Sequence, residues 1–312
     1  MSLHVALVDS VHPLLAERLA QAGHRVTALD HLDDNALADE LVSVQGIIVR
    51  SRELPADLLR HAASLSFIAR VGSGLENIDR SYCEAVGIRV LNSPEGNRDG
   101  VGEWCVGHLL MLLKHSHRAN AQVHAGLWER EGNRGSDLFG RTVGIIGYGQ
   151  MGSAFAEKLG GFGVRILAHD KYRSDLPSMV EAASLRRVQE ECEVISLHLP
   201  LTDETRHFAD AAFFAGLTRP VWFLNSSRGG VVHTAALLDA IDAGRITAAA
   251  LDVLEYERAD LSSLDPTIDP ATQRRLLSHD RVILTPHIAG VTHEGKVKMA
   301  QVLADKILAA FP

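Results

Sequence analysis

Val143-Gly144-Ile145-Ile146-Gly147-Tyr148-Gly149-Gln150-Met151-Gly152 sets an apolar, β-branched run directly before three glycines in G-x-G-x-x-G spacing. The run reads as a buried strand and the glycines as the turn into a helix. In such a turn the first glycine permits the tight bend, the second lets backbone approach a pyrophosphate, and the third lets helix and strand pack closely. A helix starting there offers N–H groups and the positive end of its dipole to the phosphates. After a helical stretch, Ser153 to Leu159, a second strand-like run from Gly163 ends at Asp170, 18 residues beyond Gly152. An acid at that distance is placed to accept the adenosine ribose hydroxyls. Its charge would repel a 2′-phosphate, which favours NAD over NADP. Lys171 and Arg173 follow closely and either soften that preference or are solvated loop charges.

The fingerprint begins only at residue 143, so a substantial length of other sequence precedes it. That sequence alternates too. Val5 to Val8, Arg25 to Leu29, Gly46 to Val49, Phe67 to Val71 and Ile88 to Leu91 read as short strands, with helical patterns at Pro13 to Ala22 and Pro55 to Ala63. Alternation of this kind predicts α/β architecture with a parallel sheet. Asp99 to Ala119, apolar at Val101, Trp104, Cys105, Leu109 and Leu112, reads as one long helix leading into the fingerprint. Beyond it, Glu193 to Leu197, Val221 to Asn225, Ala248 to Asp252 and Val282 to Thr285 are strand-like, each ending at a polar or proline-marked turn. Glu294 to Ala310 is a helix with one apolar face, formed by Val297, Met299, Val302, Leu303, Ile307 and Leu308. The fold expected is two doubly wound parallel-sheet domains.

Composition agrees with a two-domain enzyme. The 312 residues are 46% hydrophobic, enough for two cores, and only 5% aromatic, so aliphatic packing dominates. A net charge of -8 gives no electrostatic footprint for nucleic acid or an anionic membrane. The N-terminus runs into a strand without a basic leader, and no apolar run approaches membrane-spanning length. Three cysteines, Cys83, Cys105 and Cys192, lack metal spacing and suit a reducing compartment, so a cytoplasmic location is expected. Among the 16 histidines, His108, His115, His117 and His124 cluster in sequence, but no H-E-x-x-H or acid-completed pair calls for a metal.

Ligands of open α/β sheets bind at the C-terminal ends of strands, and three such ends carry chemistry. Arg228, in Asn225-Ser226-Ser227-Arg228-Gly229-Gly230, offers a fixed fork of donors for a carboxylate or keto oxygen, or else forms an ordinary loop ion pair. Glu257 follows the next strand and His287 the last, at separations of 29 and then 30 residues. A histidine paired with a carboxylate is a common acid–base device near neutral pH.

These motifs together with Arg70-Val71-Gly72-Ser73-Gly74-Leu75-Glu76-Asn77-Ile78-Asp79 and Leu197-His198-Leu199-Pro200-Leu201-Thr202 resemble the D-isomer-specific 2-hydroxyacid dehydrogenases over nearly the whole chain. Within that family the resemblance is to the phosphoglycerate dehydrogenases. It implies a flavodoxin-like substrate domain, 1–97 with 288–312, and an inserted Rossmann NAD-binding domain, 98–287. It carries the catalytic set onto Arg228, Glu257 and His287. Cofactor contacts are implied for Gly147, Gly149, Gln150, Met151, Gly152, Asp170, His198, Leu199, Pro200, Thr205, Ser226, Ser227, Asp252 and His287. Substrate contacts are implied for Ser73, Gly74 and Arg228. The implied reaction is hydride transfer between NAD and the C2 position of a D-2-hydroxy acid, with homodimerisation through the NAD-binding domain near Asp99 to Ala119 and Trp128.

Ile47-Ile48-Val49-Arg50-Ser51-Arg52 resembles the segment that carries a substrate-facing arginine in phosphoglycerate dehydrogenases. The resemblance thus implies that Arg50, with Arg52 as a second candidate, meets the phosphate of 3-phosphohydroxypyruvate in serine biosynthesis, unless one of them pairs with a nearby acid. A glyoxylate or hydroxypyruvate reductase would share every catalytic residue, and the family also includes NAD-binding corepressors. Two departures stand out: Arg258 replaces the usual proline after Glu257, and extra residues fall in the loop Ala259 to Thr272. Glu95, Arg98 and Asp99 also make the stretch after Asn92 more charged than the common family form, and no regulatory amino-acid-binding domain is expected after the last helix.

Overall fold

The computed structural model describes residues 2–258 and 260–311. In chain order the first elements are β1 (His4–Leu7), α1 (Pro13–Gln21), β2 (Arg25–Ala28), α2 (Asp34–Glu40), β3 (Gly46–Val49), α3 (Ala56–Leu59), β4 (Phe67–Arg70), α4 (Arg80–Val86) and β5 (Arg89–Asn92). Then come α5 (Pro94–Leu113), α6 (Ser116–His124), β6 (Thr142–Ile146), α7 (Gln150–Lys158), β7 (Arg165–His169), β8 (Glu181–Ala182), α8 (Leu185–Glu191), β9 (Val194–Leu197) and α9 (Ala211–Ala215). The chain closes with β10 (Val221–Asn225), α10 (Thr234–Asp242), β11 (Ile246–Leu251), α11 (Pro270–Leu277), β12 (Val282–Leu284) and α12 (His293–Ala310). These divide into two compact units, 1–98 with 291–312, and 99–290.

The first unit is a five-stranded sheet in the order β2-β1-β3-β4-β5, parallel throughout, which is the flavodoxin-like order. Side chains alternate across the pleat, so Ala6, Ile47, Val49 and Ile68 build one core while Val5, Ile48, Phe67 and Ala69 build the other. Helices cover both faces, so these strands read as unbroken apolar runs. On the second face α12 packs with α1 through Leu303, Ala304 and Ile307 against Leu15 and Leu19. Its Lys306 ammonium donates to Asn92 O at 2.9 Å and to both Glu95 oxygens at 2.8 Å, which accounts for the acid after Pro94.

The second unit is a seven-stranded parallel sheet in the order β12-β11-β10-β9-β6-β7-β8. Strand order reverses beside β6, whose neighbours are β7 and β9, and that reversal is where doubly wound sheets bind ligands. Register places His169, Ile146, Leu197, Asn225, Leu251 and Leu284 in one row across the sheet. The next residue of each strand, Asp170, Gly147, His198, Ser226, Asp252 and Thr285, therefore opens a loop on the same edge.

Two helices differ from the sequence expectation. The single helix Asp99 to Ala119 is two, because His115 takes a left-handed conformation (φ 51°) and Ser136 N donates to Leu113 O at 2.8 Å, capturing a carbonyl of the last turn. The helix also starts earlier, at Pro94, where a missing N–H costs nothing. A Cβ on Gly96 would lie 2.4 Å from Met299 N, so this glycine lets α5 and α12 touch along their backbones. The helix expected over Pro55 to Ala63 covers only Ala56–Leu59.

Candidate active site

The glycine turn fits a dinucleotide by its steric pattern. Gly147 has φ 90°, and a Cβ there would lie 2.5 Å from His198 O. A Cβ on Gly152 would lie 2.1 Å from Gly147 O, so the third glycine seats α7 against the turn. Gly149 differs, for a Cβ on it would meet nothing within 4 Å. This is open space at the N-cap of α7, whose cap residue has no side chain to occupy it. A pyrophosphate fits such a cradle, with the amides of Gln150 and Met151 in the first turn behind it. Beside it His198 Nε2 pairs with Ser196 Oγ at 2.9 Å, while its Nδ1 is enclosed without a protein partner. Burial pushes the imidazole down to about 3, so it is neutral.

Asp170 has a structural role that its sequence position does not reveal. Its Oδ2 accepts Tyr148 N at 2.7 Å, tying the end of β7 to the glycine turn, while Oδ1 accepts Tyr172 N at 2.9 Å and Arg173 N at 3.0 Å. A carboxylate offers about four acceptor positions, so capacity remains for a ribose hydroxyl. Within the Leu199 to Thr205 loop, Thr205 Oγ1 donates to Pro200 O at 2.5 Å and accepts Thr202 N at 2.8 Å.

At the other strand ends the geometry brings Glu257 and His287 together. His287 Nδ1 lies 3.0 Å from Glu257 Oε2, and Glu257 Oε1 accepts Leu254 N at 2.7 Å, which leaves the carboxylate no freedom to turn away. Arg228 follows an Asx turn in which Ser227 N and Oγ both donate to Asn225 Oδ1, at 3.0 and 2.7 Å, while Asn225 Nδ2 donates to Arg228 O at 3.0 Å. Gly229 allows that turn to lie on the Glu257 loop, since a Cβ there would be 2.0 Å from Leu254 C and O. Ser226 Oγ is 3.3 Å from the buried Cys105 Sγ.

Asp252, 1% exposed, organises the histidine loop. Its Oδ1 accepts Thr285 Oγ1 at 2.6 Å and Ile288 N at 2.8 Å, its Oδ2 accepts Ala289 N at 2.8 Å, and its carbonyl accepts His287 N at 2.7 Å. His287 itself sits at φ 56°, a conformation unfavourable for a residue with a Cβ. Four bonds from one aspartate hold it there. Trp104 Nε1 adds a donor to Thr285 Oγ1 at 3.1 Å. Sequence reasoning missed Trp104, Gly229 and Glu255. Glu255 accepts Thr234 N at 2.9 Å and His207 Nε2 at 2.6 Å, anchoring the stretch before Glu257 to the start of α10. The inserted loop folds on Gln273, whose Nε2 donates to Asp265 O and Ile268 O; its first residue, Ala259, lies outside the described residues.

Within the first unit, Arg50 follows β3 and the Ser73–Gly74 loop follows β4, the neighbouring strand. Asp9 Oδ2 accepts the backbone N–H groups of Arg50, Ser51 and Arg52 at 2.7, 2.7 and 2.9 Å. The two arginines differ in what they touch. Arg52 is held by Asp34 Oδ1 at 2.9 Å and Leu32 O at 2.6 Å, whereas the exposed Arg50 side chain has no partner among the described residues. Ser73 Oγ donates to Asn97 Oδ1 at 2.8 Å and Asn92 Nδ2 to Ser73 O at 2.7 Å, fixing the loop.

Comparison with known proteins agrees with this arrangement. Hydroxypyruvate reductase of Thermotoga maritima is 36% identical over 281 residues, 89% of this chain and 88% of that protein. D-3-phosphoglycerate dehydrogenase of Bacillus subtilis is 31% identical over 274 residues, 86% of this chain but only 50% of that protein, so the chain spans about half the dehydrogenase's length. The structure of D-lactate dehydrogenase from Aquifex aeolicus, complexed with NAD and lactic acid, superposes with a TM-score of 0.82 at 26% identity, covering 98% of this chain and 95% of that one. The profile of the D-isomer specific 2-hydroxyacid dehydrogenase NAD binding domain matches residues 106–289. With a parallel sheet that opens a glycine cradle and a His–Glu pair on one edge, the chain belongs to the D-isomer specific 2-hydroxyacid dehydrogenase family, and its cofactor is NAD.

Proposed function

We propose that this protein interconverts hydroxypyruvate and D-glycerate with NAD(H), and that Arg228, Glu257 and His287 are its catalytic residues. Bound NAD supplies the hydride acceptor, and NADH the donor. In the oxidation direction His287 takes the hydroxyl proton from the C2 oxygen; in reduction it returns that proton to the forming alkoxide. Glu257, fixed by Leu254 N, keeps the imidazole oriented. Arg228 holds the substrate carboxylate and C2 oxygen with its planar fork.

The preference for an unphosphorylated acid rests on Arg52. It is engaged by Asp34 and Leu32, so of the two candidates for a substrate phosphate only Arg50 remains. The second reading, 3-phosphohydroxypyruvate as substrate, is favoured by Arg50, whose side chain has no partner among the described residues. NADH oxidation at 340 nm with hydroxypyruvate, glyoxylate, pyruvate and 3-phosphohydroxypyruvate separates them. Highest kcat/KM on hydroxypyruvate supports the first reading. Preference for the phosphorylated acid, lost in Arg50→Ala, would replace it with the second.

A homodimer through the second unit belongs to the same proposal. Helix α6 has no buried residue, and its Val123 and the following Leu127 and Trp128 are exposed, Trp128 at 81%. Exposed apolar side chains this close in the chain are ones that a subunit interface would bury. Light scattering should give twice the chain mass, reduced in Trp128→Ser; a monomer at micromolar concentration would end that part of the proposal. No helix among the described residues is long and apolar enough to cross a membrane, and a cytoplasmic site of action is proposed on the free state of Cys83, Cys105 and Cys192.

A further inference from the structure

The loops after β7 and β9 flank the glycine turn, because β6 lies between those strands. They are joined. Lys171 Nζ pairs with Glu204 Oε1, and Tyr172 Oη donates to Glu204 Oε2 at 3.1 Å. Lys171 and Tyr172 directly follow Asp170, and Glu204 belongs to the loop that begins at Leu199, so the three side chains bridge across the end of β6 where the G-x-G turn begins. Each partner reinforces the other's charge: Glu204 raises the Lys171 ammonium above its ordinary value, and Lys171 lowers the Glu204 carboxyl. All three side chains are exposed, and ion pairs of that kind contribute little to folding. The bridge therefore needs a reason other than stability.

The second cation of this loop is also engaged. Arg173 Nη1 donates to Tyr148 O at 3.2 Å, its guanidinium lies 5.5 Å from the Tyr148 ring centroid, and its Nε is 3.4 Å from Asp175 Oδ1. Two positive side chains thus stand within three residues of the acid at the ribose position, and both are drawn to protein partners. A 2′-phosphate would bring a charge of about −2 to this place. It would meet Asp170 directly, Glu204 close by, and an ammonium already occupied.

We propose that Glu204 is a cofactor-specificity residue: by holding the Lys171 ammonium and adding a second negative charge near Asp170, it makes the site select NAD over NADP. The proposal rests on the reading that Asp170 receives the adenosine ribose hydroxyls. Removing one charge that faces a dianion across exposed, water-filled space changes affinity about tenfold, less at high salt. Dissociation constants of NADH and NADPH, measured by fluorescence titration without substrate, test it. In Glu204→Gln the ratio Kd(NADPH)/Kd(NADH) should fall about tenfold at low salt, and adding Lys171→Met should restore it. A ratio within twofold of the unmodified protein in Glu204→Gln, or a fall that persists in the double variant, would overturn the proposal, as would equal affinities in the unmodified protein. Asp170→Ala separates this from its premise: an unchanged Kd for NADH there would mean the ribose lies elsewhere, whatever Glu204 does.

Discussion

Replacing Asp252 by Asn keeps the shape of the side chain and inverts half its hydrogen bonding. The carboxylate accepts from Thr285 Oγ1, Ile288 N and Ala289 N with both oxygens. An amide has one acceptor oxygen, so its NH2 must face either Ala289 N–H or the Thr285 and Ile288 donors. One bond to a charged acceptor is lost and a buried donor is left unmatched, a cost of about 2–4 kcal/mol at a residue 1% exposed. For a unit of this size that is a fall in Tm of roughly 5–15 °C. The loop it releases carries His287 at φ 56°, a strained conformation that relaxes once Ile288 and Ala289 are no longer pinned. A displacement of about 1 Å in an acid–base group lowers rate on the order of 100-fold. Thermal melting and NADH oxidation at saturating hydroxypyruvate measure both effects on one preparation. An Asp252→Asn protein with unchanged Tm and kcat within threefold would show that the aspartate does not hold the histidine loop.

Gly149→Ala should keep its Tm, since a Cβ there meets nothing, yet bind NADH at least tenfold more weakly because the methyl enters the phosphate cradle; Gly147→Ala, with its φ of 90° and the His198 carbonyl at 2.5 Å, should lose about 2–4 kcal/mol by chemical denaturation. The His198 imidazole, held down to about 3 by burial, binds its proton in the unfolded chain first. Its contribution to stability is therefore complete above the unfolded value near pH 6.5 and is lost as pH falls from there toward 3, about 2 kcal/mol by pH 5. His198→Gln should flatten the denaturation midpoint between pH 6.5 and 5, and an equally steep profile would refute this origin. Trp104→Phe, which removes the indole donor to Thr285, should lower kcat several-fold with little change in KM for NADH; loss of NADH binding instead would place Trp104 in the cofactor site.

Much of the fold was legible because strands buried on both faces are written as continuous aliphatic runs. Gly46–Val49 and Val221–Asn225 have the bounds their sequence suggests, and the glycine turn joins β6 to α7 as its spacing requires. What escaped was decided by tertiary partners. Nothing local at Lys114–His115 marks a helix break, because the group that ends α5 is Ser136, far along the chain. Helices such as α2 and α8 carry few apolar residues and stand on capping aspartate or serine side chains, so their periodicity is weak. At the site, Glu257 and His287 were legible as residue types at strand ends, but the devices that aim them were not. Asp252 was legible only as an implied cofactor contact, not as the anchor of the histidine loop, Gly229 as one more loop glycine and Trp104 as core. Only the register of Asn225, Leu251 and Leu284 brings the loops that begin at Ser226, Asp252 and Thr285 to the same edge, where Trp104 reaches Thr285.

The central claim is that His287, oriented by Glu257, carries the proton of an NAD-linked 2-hydroxyacid oxidation. Stopped-flow NADH oxidation by hydroxypyruvate in a single turnover, for the unmodified protein and His287→Gln, with the Kd of NADH measured on both, tests it most directly. The account expects the chemical step to slow by about 100-fold or more while the Kd of NADH changes less than threefold. A chemical step of unchanged rate in His287→Gln would contradict it.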